Sequence, residues 1–292
     1  MNKEELKALV AQMLEQMQAE PPVKAGDYRP TQPVVPTNLA DFGIKDLRRE
    51  YAVEHPQNGK AFLELKAKTP ARLGLGRAGC RYKTDSFLRF RADHAAAQDS
   101  VFTPIAEDFA KSHGFVPLQT RCKDKDEYLT RPDLGRRFDE INQKVIAETW
   151  KHQRVMLVIG DGLSSAAITA NAVDCAAAIR QGLQSYGISI DKIPFVRYCR
   201  VGAGDHIGEL TDCELLCILV GERPGLVSSE SMSAYITYKP RLGVPESRRT
   251  VVSNIHRQGI PAVEAGAHIA SLMEKMLQQK TSGIDLKQEA RT

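Results

Sequence analysis

The sequence has no long run of apolar residues. No run reaches the roughly 18–20 residues that a membrane-spanning helix needs, and the N-terminal stretch lacks the apolar core of a secretory signal peptide. These absences predict a cytoplasmic chain with no membrane partner.

An excess of one charge is also missing. The 40 Lys and Arg residues against 36 Asp and Glu residues leave a formal net charge of +4, too small and too dispersed to indicate a nucleic-acid partner. None of the six cysteines forms a C-x-x-C pair, so we expect a reducing cytosol with neither a disulfide nor a structural zinc site. Cys213 and Cys217 are expected to be small buried hydrophobes. The six are Cys80, Cys122, Cys175, Cys199, Cys213 and Cys217.

The first 150 residues divide into three segments. Residues 1–20 carry apolar side chains at helical spacing, which predicts an amphipathic helix that packs on the body or a sister subunit, or docks on an external partner. Residues 21–38 are rich in proline, which is typical of a semi-extended linker. Residues 39–150 are charged, with few strand-like runs, and predict a mostly helical region. Its helix candidates are residues 46–54, 86–98 and 135–150, and Pro132 and Gly135 predict a turn near the start of the last.

Residues 151–292 alternate predicted strands with predicted helices. This alternation predicts an α/β fold with a Rossmann-like, mainly parallel sheet flanked by helices. Three predicted strands end in glycine-bearing polar loops, so their carboxyl ends are expected to open onto a binding crevice. The strands are VMLVIG, PFVRYCRV, ELLCILVG and RRTVVSNI, and the helices are SSAAITANAVDCAAAIRQGLQSYG and PAVEAGAHIASLMEKMLQQK.

Two glycine patterns resemble phosphate-binding loops. Residues 74–79 spell G-x-G-x-x-G, but no strand precedes them, so they predict a turn between helices. Gly202, Gly204 and Gly208 do follow a predicted strand, although the last spacing is one residue too long. A nucleotide-dependent oxidoreductase therefore stays open as one alternative.

Other motif fragments do not complete a catalytic site. Asp205 and His206 resemble part of the D-x-H-x-x-G loop that offers an imidazole to cobalt, but here the two residues are adjacent. We interpret His206 as a hydrogen-bonding loop residue and His256 as a loop or capping histidine, and we expect no metal ligands. The DGLSS stretch does not match G-x-S-x-G, and Ser164 or Ser165 is expected to cap a helix. The chain is therefore predicted to bind something large rather than to be a complete catalyst.

Six segments taken together resemble the small subunit of ethanolamine ammonia-lyase, over about residues 60 to 284. The combination, in this order, is far more specific than any one motif. The segments are GRAGCRYKTDSFLRFRADHAAAQDSV, YLTRPDLGRR, VIGDGLSSAAITAN, VRYCRVGAGDHIGEL, LVGERPGLVSSESMSAYITYKPR and SNIH.

The resemblance implies an adenosylcobalamin-dependent lyase that converts ethanolamine to acetaldehyde and ammonia by a radical mechanism. In this family the substrate lies in a separate large subunit, and the small subunit closes the other face of the corrin. No catalytic residue is therefore expected on this chain. The ethanolamine pathway also suggests a bacterial microcompartment, with residues 1–20 docking on a shell protein. A non-catalytic scaffold or shell adaptor is the second alternative.

The resemblance places the corrin at three positions of this sequence, Val201, Glu222 and Val251. Arg200, Gly202 and Arg223 are neighbours that are expected to contribute. An apolar valine can lie against the ring, and a carboxylate can accept hydrogen bonds from corrin amides. The family has a cysteine at the position of Val251, so only a backbone or shape contact is carried over there.

Overall fold

The computed structural model describes Arg49 and residues 52–289, with side chains described as far as residue 286. The chain divides into two units, residues 1–45 and 46–292, and every described residue belongs to the second. The amphipathic helix predicted within residues 1–20 and the linker at 21–38 lie outside the described residues.

Helices and strands alternate along most of the described chain. The first part contains α1 (Gly59–Lys66), β1 (Arg77–Ala78), β2 (Arg81–Tyr82), α2 (Thr84–Phe102), α3 (Phe109–Ser112), β3 (Val116–Gln119), α4 (Lys125–Thr130), a 3-10 turn (Leu134–Arg136) and α5 (Glu140–Thr149). The second part contains β4 (Val155–Gly160), α6 (Ser165–Ser185), β5 (Pro194–Arg197), α7 (Ala203–Thr211), β6 (Leu215–Gly221), β7 (Met232–Tyr238), a 3-10 turn (Glu246–Arg248), β8 (Arg249–Ile255), α8 (Ala262–Gln279) and α9 (Ile284–Glu289).

Six of these strands form one mostly parallel sheet in the order β3-β5-β4-β6-β7-β8. The first four are mutually parallel, whereas β7 runs antiparallel to both β6 and β8. Helices cover the sheet, so the predicted α/β class with a mainly parallel, helix-flanked sheet is confirmed. The sheet is mixed because β7 alone runs in the opposite direction to the other five strands.

The sheet is buried on both faces at its centre. Every residue of β4 and β6 is buried, which explains why their sequences are continuous apolar runs rather than alternating ones. One face packs against α6 and α8 through residues such as Leu157 and Ile269. The other packs against α5 and α7 through residues such as Ile146 and Ile207. Residues of this second face, such as Cys199 and Val220, also line the candidate site.

Two strands of the sheet, β3 and β7, were not predicted from the sequence. Strand β3 lies in the 39–150 region predicted to be mostly helical and extends the sheet beyond β5. It is only four residues long and contains Pro117, which an edge strand tolerates because one side of its ladder is free. Strand β7 mixes small polar and apolar residues, so neither of the usual burial patterns marks it.

Most predicted elements in the second part are confirmed, with shifted ends. The strand predicted at 194–201 stops at Arg197, and Tyr198 adopts a left-handed φ of 55°. The helix predicted from Gly135 begins at Glu140, because Asp139 caps it by accepting from the Asn142 backbone N–H at 2.8 Å. Pro132 and Gly135 do lie at the expected turn.

Two predictions near helix N-termini had different outcomes. Ser164 caps α6 as expected, accepting from the Ala167 backbone N–H at 3.0 Å. The helix predicted at 46–54 is wrong for its described residues, since Arg49 and residues 52–54 are not helical. Instead, the Ala52 backbone N–H donates to the Gly74 carbonyl at 2.7 Å, which fixes the chain as a loop.

Candidate functional site

A crevice of about 320 Å³ opens at the carboxyl ends of the central strands. This is the edge of an open α/β sheet where ligands ordinarily bind. Its walls come from α4, from the loops after β4, β5 and β6, and from β7. The lining residues are Tyr128, Leu163, Cys199, Arg200, Val201, Val220, Gly221, Glu222, Arg223 and Tyr235.

Backbone hydrogen bonds between the loops fix the shape of the crevice. The Asp161 N–H donates to the Val196 carbonyl at 2.8 Å, and the Cys199 N–H donates to the Asp161 carbonyl at 2.8 Å. The Leu163 N–H donates to the Gly221 carbonyl at 3.1 Å. A Cβ atom at Gly221 would clash with the Ser164 carbonyl oxygen. The loops therefore meet so closely that only glycine fits at residue 221.

Arg200 is held rigidly on one wall. Its guanidinium lies over the Tyr128 ring, 4.3 Å from the centroid, and its Nη2 donates to the Tyr128 carbonyl at 2.7 Å. Its Nε is buried and has no hydrogen-bond partner in the described part of the chain. The guanidinium is thus anchored to Tyr128, and its unpartnered Nε is shielded from solvent.

The Tyr128 hydroxyl and the Cys199 thiol are not reactive groups at neutral pH. Burial raises the pKa of both, and the Tyr128 hydroxyl is engaged as a donor to the Cys199 carbonyl at 3.1 Å. A buried thiol that stays protonated is a poor nucleophile. This wall therefore supplies shape and packing rather than a catalytic group.

Glu222 provides the carboxylate of the crevice. Its Oε1 accepts from the Ser233 hydroxyl and, at a longer 3.4 Å, from the Tyr235 hydroxyl. Its Oε2 has no hydrogen bond to the described residues and is available to a ligand donor. Glu222 is half-buried, whereas neighbouring Arg223 is exposed at the rim.

Four of the six sequence-predicted residues line this crevice together: Arg200, Val201, Glu222 and Arg223. Gly202 lies just before α7, and a Cβ atom there would contact the Arg136 side chain. Val251 lies on β8, is 46% exposed, and pairs with Tyr235 across the ladder. Because paired residues point to the same face, Val251 lies beside the crevice although it does not line it.

The glycines that suggested a phosphate loop are explained by packing. Gly204 and Gly208 lie inside α7, where a Cβ at Gly204 would come within 2.9 Å of the Leu216 side chain. A Cβ at Gly208 would clash with Pro240. The two residues allow the helix to lie close to its neighbours. Residues 74–79 lie between α1 and α2, as predicted, but they include strand β1 of a short hairpin and are not a turn alone.

His206 lies in helix α7, so the expectation of a loop histidine is wrong. Its Nδ1 accepts from the Phe138 backbone N–H at 3.2 Å, and burial lowers its pKa. The hydrogen-bonding part of the expectation is right. His256 follows β8 as a loop histidine, with Nδ1 accepting from the Gln258 N–H at 3.3 Å and Nε2 in contact with Asn254 Oδ1 at 2.8 Å. Both rings have structural partners.

Asp205 has a structural partner that the sequence did not indicate. Both of its oxygens accept from the Arg249 guanidinium, at 2.6 and 2.7 Å, which joins α7 to the start of β8. Within the described residues no group of three or more His, Cys, Asp and Glu side chains could hold a metal ion. Cys213 and Cys217 are buried, as expected.

Sequence reasoning missed Tyr128, Leu163, Ser233 and Tyr235. Tyr128 lies in YLTRPDLGRR, and Ser233 and Tyr235 lie in the long segment that ends in YKPR, so both segments had been noted without assigning these residues a role. Leu163 follows the predicted strand VMLVIG, whereas Tyr128, Ser233 and Tyr235 do not directly follow a predicted strand. The signal that could have found Ser233 and Tyr235 is the register of β7, which requires the structure.

The fold and the crevice define an α/β domain whose sheet edge carries an apolar wall, one placed carboxylate and two cationic side chains. No helix among the described residues is long and apolar enough to span a membrane. The family model for the ethanolamine ammonia-lyase light chain matches residues 59–287. The chain belongs to this family.

Curated relatives agree with the family assignment and confirm the resemblance. The chain is 55% identical to the ethanolamine ammonia-lyase small subunit of Clostridioides difficile (strain 630), over 98% of this chain and 100% of the relative. It is 52% identical to that of Clostridium perfringens over the same shares. It is 56% identical to that of Lachnoclostridium phytofermentans over 85% of this chain and 84% of the relative.

Proposed function

We propose that this chain is the small subunit of an adenosylcobalamin-dependent ethanolamine ammonia-lyase. Together with a large subunit it converts ethanolamine to acetaldehyde and ammonia. The observation that carries the proposal is the convergence of Arg200, Val201, Glu222 and Arg223 on one crevice at the ligand-binding edge of the sheet. The proposed reaction is taken from the family to which the chain belongs.

The residues of the crevice fit one side of a corrin. Corrin is a broad, mostly apolar plate rimmed by amides, so it needs a flat apolar contact and a few placed polar groups. Val201, Leu163 and Val220 supply apolar wall, and Glu222 Oε2 is a free acceptor for an amide N–H. Arg200 and Arg223 supply donors for amide carbonyls.

The size of the crevice supports a shared site. Its volume of about 320 Å³ is near the lower end of the roughly 300–1,000 Å³ found for pockets that enclose drug-sized ligands. Cobalamin is considerably larger, so this chain can cover only part of it. We propose that the large subunit covers the rest, which places the cofactor at the seam between the subunits.

The chemistry is divided between cofactor and protein. When bound, adenosylcobalamin supplies a carbon radical by homolysis of its cobalt–carbon bond. This chain orients the corrin through Val201 and Glu222, assisted by Arg200 and Arg223, while Val251 and Gly202 shape the adjoining surface. We assign no catalytic residue to this chain, since the reacting carbon atoms are proposed to lie in the large subunit.

We also propose that the complex resides in a cytoplasmic bacterial microcompartment, with residues 1–20 docking on a shell protein. The support is the apolar stripe between Leu6 and Met17 in the sequence. Deletion of residues 1–20 should leave turnover nearly intact and reduce co-purification with shells. Unchanged shell association would rule out this role.

Reconstitution tests the proposed function. The chain is co-expressed with the large subunit, supplied with adenosylcobalamin and ethanolamine, and assayed for acetaldehyde. We expect turnover only when both chains and the cofactor are present, because the crevice covers only part of the corrin. Turnover by the large subunit alone at the full rate would contradict a cofactor-binding role for this chain.

A further inference from the structure

The carboxylate of Glu222 is held by two hydroxyls from strand β7. Ser233 is fully buried, and its hydroxyl donates to Glu222 Oε1. The Tyr235 hydroxyl donates to the same oxygen at 3.4 Å, which is long for such a bond. Ser233 is therefore the main support and Tyr235 the weaker one.

The register of β7 explains why the two hydroxyls converge. Ser233 pairs with Val220 and Tyr235 pairs with Ile218 on β6, and Glu222 continues the same alternation just after that strand. Alternate residues of a strand point to one face, so Ser233, Tyr235 and Glu222 share a face. Strand β7 is paired on both sides, by β6 and β8, which gives the hydroxyls a rigid base.

A serine at residue 233 is not explained by packing. A buried hydroxyl is unfavourable unless it is hydrogen-bonded, and alanine would fill nearly the same space. The side-chain hydrogen bond of Ser233 goes to Glu222. Both hydroxyls occupy Oε1 and leave Oε2 without a partner among the described residues. The arrangement fixes where the free oxygen points.

On the basis of the proposed function, we propose that Ser233 and Tyr235 are positioning residues that hold Glu222 as an acceptor. Oriented in this way, Glu222 discriminates between corrins by the corrin side chain that lies next to it. It favours corrins in which that side chain is an uncharged amide over corrins in which it is a carboxylate. An amide donates to Oε2, whereas a second carboxylate has no donor and repels the first. Arg200 and Arg223 line the same crevice and would favour a carboxylate if one of them faced that side chain instead. The direction of the discrimination thus identifies the facing group.

The first test measures cyanocobalamin binding by visible-absorbance titration of the assembled two-subunit complex. Ser233→Ala should weaken affinity by about tenfold, as expected for a misplaced charged hydrogen bond. Tyr235→Phe should weaken it less, because the contact is longer. Parent-like affinity for Ser233→Ala would overturn the positioning role.

Tyr238→Phe is the matched control for Tyr235→Phe. Tyr238 lies on the same strand, and its hydroxyl donates to a glutamate, Glu214 Oε1, at 3.3 Å. Tyr238 lies at the opposite end of β7 from the crevice. The complex that carries Tyr238→Phe should therefore bind cyanocobalamin with the affinity of the parent complex. Equal weakening by both tyrosine variants would show a general effect on the strand and overturn the inference.

The second test measures specificity with cobalamin derivatives in which a single corrin amide has been hydrolysed to a carboxylate. The parent complex should bind at least one positional isomer about tenfold more weakly than cyanocobalamin. Glu222→Gln should largely remove that difference, because the like charge is gone. Equal binding of every isomer, or tighter binding of the carboxylates, would overturn the selectivity.

These outcomes are separable from failure of the proposed function. If the parent complex binds no cobalamin and makes no acetaldehyde, the proposed function fails. If the parent binds cobalamin and the variants behave like it, only the present inference fails. If gel filtration shows that the Ser233→Ala chain does not assemble with the large subunit, the inference is tested by Tyr235→Phe and Glu222→Gln. Each of these changes only a few surface atoms of the crevice.

Discussion

Replacement of Asp205 with alanine is expected to lower the free energy of unfolding by about 3–5 kcal/mol, as for other broken buried ion pairs. Asp205 and Arg249 form a two-pronged salt bridge with side chains only 9% and 4% exposed. Removal of the carboxylate leaves the guanidinium buried with Glu246, a mostly exposed residue, as its remaining acidic partner. Urea denaturation of the chain measures the loss.

A surface pair provides the control for Asp205→Ala. Arg131 and Asp133 form a salt bridge at 2.9 Å, and both side chains are about 60% exposed. Asp133→Ala should therefore change the free energy of unfolding little. The double variant Asp205→Leu with Arg249→Met should recover most of the stability, because it removes both buried charges. An Asp205→Ala loss as small as that of Asp133→Ala would contradict this account of the salt bridge.

Replacement of Val201 with tryptophan is expected to reduce the affinity for adenosylcobalamin by about tenfold or more. Val201 is half-buried in the wall proposed to face the corrin, and a bulky ring would obstruct it. Glu222→Ala should act similarly, because unpaired buried donors on the corrin cost about 1–3 kcal/mol. Cobalamin titration of the assembled enzyme at saturating ethanolamine measures both effects.

The affinity for ethanolamine should change little in these variants, since this chain is proposed to act through the cofactor. Val244→Trp is the matched control, because Val244 is also half-buried but lines a separate cavity of about 400 Å³ near the end of β7. Gel filtration checks that each variant assembles. Parent-like cobalamin affinity in both Val201→Trp and Glu222→Ala would place the cofactor elsewhere.

The central strands could be predicted from sequence because burial on both faces leaves a simple pattern. VMLVIG and ELLCILVG are continuous apolar runs and match β4 and β6 closely. Strand β3 could not be predicted in this way because it is short, contains Pro117 and lies at the sheet edge. Strand β7 is antiparallel and carries buried serine and threonine, which weakens the apolar signal.

The candidate site was predictable only where its residues follow predicted strands. Val201 and Glu222 lie at the ends of predicted strands, and the family resemblance selected them among other loop residues. Ser233 and Tyr235 depend on the β6–β7 register, which sequence periodicity does not determine. His206 was assigned to a loop because the glycines at 202, 204 and 208 were interpreted as a glycine-bearing loop after the predicted strand, whereas residues 203–211 form α7.

The most direct measurement asks where cobalamin lies on this chain. A photo-reactive benzophenone side chain is placed at residue 223, at the exposed rim of the crevice, and separately at residue 241, which lines the cavity near the end of β7. Each assembled complex is saturated with cyanocobalamin, irradiated and analysed by mass spectrometry. The account predicts a cobalamin adduct from residue 223 and none from residue 241. An adduct from residue 241 alone, with cobalamin bound in both complexes, would contradict it.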